Sequence, residues 1–85
     1  MDSYHDFKEK LDREHKWPTV YMFKFVVPSD KVQEFQSVFE KESLESKKSK
    51  SGKYASFTLK KMMSSSQDVV EIYLKAKKIE GIIAL

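Results

Sequence analysis

The rhythm of polar and apolar positions changes several times along the chain, and each change marks an element. From Thr19 to Val27 the sequence reads TVYMFKFVV, a run of β-branched and aromatic side chains that predicts a strand. Alternate positions share a face, so Tyr21, Phe23, Phe25 and Val27 stand on one side and Met22, Lys24 and Val26 on the other. A lysine in mid-strand marks the second side as open and assigns the aromatic side to the core. Before this strand, Tyr4, Phe7, Leu11 and His15 recur at helical spacing over residues 2–15, and Trp17-Pro18 ends that segment because proline disfavours the helical region for its predecessor.

After the strand, Pro28-Ser29-Asp30 supplies a stop and an N-cap, and Val32, Phe35, Val38 and Phe39 predict a helix from Asp30 to Glu42. Residues 43–50, SLESKKSK, hold little that is apolar; they read as a loop and a polar edge strand whose lysines discourage pairing with another sheet. Ser51-Gly52 predicts a hairpin turn. Tyr54 to Met62 is the next strand, with Ala55, Phe57 and Leu59 inward and Tyr54, Ser56, Thr58 and Lys60 outward. Ser64-Ser65-Ser66 opens a second helix, Ser65-x-x-Asp68 has the form of a capping box, and Val69, Ile72, Tyr73, Ala76 and Ile79 are its buried stripe. Gly81 ends that passage, and Ile82 to Leu85 form a short apolar strand. The order is β-α-β-β-α-β, an α+β chain. With right-handed crossovers it fits a ferredoxin-like plait, an antiparallel sheet in the order 4-1-3-2. One domain spans residues 1–85, a helical arm at 1–16 and the plait at 17–85.

Composition narrows the function classes. The chain has 85 residues, 40% of them apolar, enough for one modest core. Cysteine is absent, which removes disulfides and thiolate chemistry and points to the cytoplasm. The first residues alternate charges, and no apolar run approaches the length of a bilayer span, so no membrane contact is expected. The net charge is +3, but Lys47, Lys48, Lys50, Lys53, Lys60 and Lys61 follow Glu45 with no acid before Asp68. Fifteen of the sixteen basic residues are lysine, which lacks the guanidinium fork that reads phosphate and guanine bidentately.

The parts of a catalytic or cofactor site are missing. His5 and His15 lie ten residues apart with no metal-binding partner pattern, and the two glycines, Gly52 and Gly81, make no phosphate loop. No serine stands in a nucleophile-elbow setting, and acid pairs such as Glu40/Glu42 and Asp68/Glu71 fall on polar helix faces or caps. The expectation is a non-enzyme with no catalytic, cofactor or metal residue. An RNA-binding plait is the alternative, using Lys50 and Lys53 of the basic hairpin with Tyr54 as a stacking ring. Against it, Gly52-Lys53-Tyr54-Ala55-Ser56-Phe57-Thr58-Leu59 inverts the glycine and lysine of the RNA-recognition signature, and Phe57 shares parity with the core.

Several pieces in order, Trp17-Pro18-Thr19, Tyr21-x-Phe23-Lys24-x-Val26, Ser49-Lys50-Ser51-Gly52-Lys53-Tyr54-x-Ser56-x-Thr58 and Lys78-Ile79-Glu80-Gly81, together resemble the bacterial YbeD-like family of uncharacterised proteins. The resemblance implies a ferredoxin-like plait similar to amino-acid-binding regulatory (ACT) domains. It also brings a label, lipoate-related regulatory protein, that rests on genomic context and names no activity. The extra lysines of the hairpin and the longer arm before Trp17 depart from that pattern.

In a 4-1-3-2 sheet the first and third strands are neighbours, so Lys24, Tyr54, Ser56 and Thr58 gather on the open face as the candidate ligand or partner surface. Two readings of that face stay open. Either it is merely solvated or covered by the arm, with Tyr4, Phe7 and Leu11 over Met22 and Val26, or it meets a protein, a small molecule or a second copy of the chain.

Overall fold

The computed structural model describes residues 3–48 and 51–85. Helix α1 (Ser3–Glu14) precedes strand β1 (Thr19–Pro28); a 3-10 turn (Ser29–Lys31) leads into helix α2 (Val32–Val38). Strands β2 (Leu44–Lys48) and β3 (Tyr54–Met63), helix α3 (Ser66–Lys77) and strand β4 (Ile83–Ala84) complete the chain. The strands make one antiparallel sheet in the order β2-β3-β1-β4, which counted from the other edge is 4-1-3-2.

The aromatic parity of β1 builds the core. Phe23, Phe25 and Val27 are buried, and opposite them in register stand Leu59, Phe57 and Ala55 of β3, buried on the same face. Phe35 and Phe39 of the α2 segment lay their rings on Phe25, with centroids 5.7 and 6.1 Å away, and Phe35 also meets Phe57 at 4.6 Å. Burying a side chain of this size stabilises the fold by about 1.5–3 kcal/mol, so this cluster carries much of the stability of a small domain.

Helix α2 is shorter than the expected Asp30–Glu42 span. It closes at Phe39, and residues 40–42 turn back so that Leu44 can enter the sheet opposite Leu59. Phe39 remains buried, whereas Val38, expected on the buried stripe, is exposed. Asp30 does not cap: Lys31 holds the N-cap position of this helix without a side-chain bond to its amides, and Ser29 donates instead to the carbonyl of Gly52 in the hairpin turn. The Ser65 cap of α3 forms as the pattern predicts, accepting from the Asp68 amide at 3.3 Å. The return bond of the box lands one residue early, on the Ser64 amide.

The arm lies on the opposite side of the sheet from the one considered for it. Helix α1 packs against α3: Leu11 is buried among the core residues, the Phe7 ring stands edge-on to Tyr73 at 5.7 Å, and Lys8 donates to Gln67 at 3.1 Å. The reason is the width of the apolar target. Tyr21 and Phe23 at the start of β1 meet Tyr73 of α3, and this continuous aromatic surface accepts Leu11 and Phe7 better than a face on which Met22 and Val26 are interrupted by Lys24. β4 is a two-residue strand reached through Gly81, whose φ of +81° would strain any other residue and where a Cβ would press on the Pro28 side chain at 3.0 Å.

Candidate interaction surface

The face of the sheet turned away from the helices can be built row by row from the strand register. Val20 stands opposite Met62, Met22 opposite Lys60, Lys24 opposite Thr58, Val26 opposite Ser56 and Pro28 opposite Tyr54. β2 adds Glu45 beside Thr58 and Lys47 beside Ser56, and β4 adds Ile83 beside Val26. The four residues predicted from parity are thereby gathered on one surface: Lys24 and Thr58 share a row, and Ser56 and Tyr54 follow along β3. Lys24, Ser56 and Tyr54 are exposed and Thr58 is half-buried. Ser56 is partly engaged, its hydroxyl donating to the Lys47 carbonyl at 3.3 Å.

The predicted basic patch is only partly placed. Lys53 is exposed in the bend before β3, and its carbonyl accepts from the Ser29 amide at 2.9 Å, tying the hairpin to the end of β1. Lys50 lies outside the described residues. The apolar part of the face is larger than parity with Met22 and Val26 alone suggests: Val20 is 56%, Met22 50% and Met62 58% exposed, and they form a strip at one end of the two long strands. Their parity with Lys24 and Thr58 was the available signal. Lys24 and Lys60 border the strip, and Lys60 also lies beside Met22 in register.

The covered side holds one further feature. A crevice of about 230 Å³ lies between α1, α3 and the β4 edge, walled by Phe7, Phe25, Tyr73, Ala76 and Ile82, with the Lys77 ammonium 6.0 Å from the Tyr4 ring centre. Burial pushes the Tyr73 phenol pKa up, and the Tyr21 hydroxyl 3.4 Å away adds to that shift. Among the described residues, no group of three or more His, Cys, Asp or Glu side chains comes together that could hold a metal ion. No described helix is long and apolar enough to cross a membrane.

Residues 12–85 match the family model described as Protein of unknown function (DUF493). The chain belongs to that family. The DUF493 match starts within α1 and takes in all four strands, so every residue of the open face lies inside it. YbeD, whose family the sequence resembles, is a member of DUF493. No curated protein and no solved structure matches the chain.

Proposed function

We propose that this DUF493 protein is a small non-enzymatic interaction module of regulatory type, built on a ferredoxin-like plait and acting through the open face of its sheet. The observation that carries the reading is where α1 lies. Helix α1, the arm that could have covered the open face, packs against α3 instead, and Val20, Met22 and Met62 are left half or more exposed beside lysines. A contiguous apolar strip bordered by charges is the anatomy of a protein-binding surface. Its chemistry selects a partner whose apolar side chains are fringed by carboxylates. The two-layer arrangement with the order 4-1-3-2 supports the plait.

The test is affinity capture from the source cells with wild type, with Met22→Glu/Met62→Glu, and with a control changed on the helix side at Gln36→Glu. Proteins held by wild type and control but lost from the double variant are the expected result. The same proteins held by all three would end the proposal. Single-stranded RNA bound in a salt-sensitive manner and released by Lys53→Ala/Tyr54→Ala would favour the nucleic-acid reading instead.

A further inference from the structure

The edge strand β2 is self-complementary. Its backbone direction follows from the register. The Lys24 carbonyl accepts from Leu85, away from β3, so Lys24 and its opposite number Thr58 do not bond each other, and Thr58 directs its backbone groups toward β2. Thr58 stands opposite Glu45, and Ser56 opposite Lys47, so these two β2 residues bond inward. Leu44, Ser46 and Lys48 therefore direct their N–H and C=O groups outward, along the free edge of the sheet.

Now let two copies of this edge meet antiparallel about a twofold axis. Outward residues must face outward residues, so successive registers differ by two positions. With the axis at Ser46, Ser46 faces Ser46 and Leu44 faces Lys48, and every outward group is paired. Glu45 of each copy then stands opposite Lys47 of the other, in the close non-hydrogen-bonded pairs where side chains approach most nearly. A slip of two residues one way sets Glu45 against Glu45, and the other way Lys47 against Lys47. Among the described residues neither charge has an ion-pair partner in its own chain, and both are exposed.

We infer that β2 is a homodimer edge: two chains join through Leu44–Lys48 in the single register that alternates Glu45 with Lys47, making one continuous eight-stranded sheet. The lysines of this strand repel foreign edges and mismatched registers while one pairing escapes the penalty. The twofold axis stands perpendicular to the sheet, so the two open faces lie on the same side and form one surface. The inference does not depend on what that face binds. An interface of five residues per copy is small, and the dissociation constant should be on the order of 100 µM.

The experiment is sedimentation equilibrium of the full chain at low and high salt, with folding of each variant checked by circular dichroism. Wild type should pass from one chain to two with rising concentration. Lys47→Glu and Glu45→Lys should each remain monomeric alone, and an equimolar mixture of the two should form a heterodimer, since both facing pairs then join a glutamate to a lysine. Ser46→Pro removes an outward N–H without touching the bonds to β3 and should be a folded monomer. Ser46→Cys, the only thiol in its chain, should oxidise to a covalent dimer at a Cα separation of about 5.5 Å, within the range a disulfide accepts. Wild type that stays monomeric to about tenfold above the expected constant, or charge variants that fail to pair when mixed, would overturn the inference. Neither outcome bears on capture through Met22 and Met62, which tests the open face separately.

Discussion

The two faces of this sheet are made by the same strands yet face different fates. On the inner side of β1, Phe23, Phe25 and Val27 are at most 1% exposed, whereas on its outer side Val20 and Met22 are half exposed. The inner face is apolar without interruption from Tyr21 to Val27 and draws all three helices. On the outer face Lys24, Lys60 and Thr58 divide the apolar residues, so no helix of this chain gains enough by covering it. One charge on the outer side of each long strand, Lys24 on β1 and Lys60 on β3, separates a core from a surface.

Breaking the inner face should have the largest effect. Phe35→Ala removes a ring that touches Phe25, Phe39 and Phe57, and it should cost about 3–5 kcal/mol in denaturant unfolding, enough to unfold much of the protein. Tyr73 sharpens the boundary. Because its phenol pKa is raised in the fold, it supports stability fully below the ordinary tyrosine pKa of about 10, and that support is lost as pH climbs toward its folded value. Tyr73→Phe should therefore flatten the loss of stability above roughly pH 10, measured by thermal melts across pH, with little change near neutrality. The smallest effect belongs to the outer face: Met22→Ser should shift stability by about 0.5 kcal/mol or less. A destabilisation comparable to that of Phe35→Ala would show that the outer face is packed.

Much of this division could be read in the sequence because β-strand parity is local. TVYMFKFVV and YASFTLKKMM each declare which side they bury, and the helical stripes declare what they cover with. The shortening of α2 was not legible, since Val38 and Phe39 fit both a longer helix and a turn, and only the entry of Leu44 into the sheet decides between them. The side on which α1 lies was equally closed to inspection. Tyr4, Phe7 and Leu11 match either face by pattern; what settles their place is the aromatic surface that Tyr73 of α3 makes with Tyr21 and Phe23, a tertiary fact. The apolar strip was underrated for a related reason. Val20 and Met62 sit near opposite ends of their strands in sequence order and meet only through the antiparallel register.

The position of β1 between β3 and β4 also sets an order of events while the chain is being made. Phe25 has no strand partner until Phe57 has appeared and no second one until Ala84, so the most apolar and β-prone stretch of the molecule waits unpaired until β3 is made and keeps one edge free until β4 follows. In that interval TVYMFKFVV is the segment most apt to stack with its like in neighbouring nascent chains. Lys24, at its middle, is then a gatekeeper, a charge that such a stack would have to bury in every layer. The residue that keeps one face of the finished sheet open thus also protects the unfinished one.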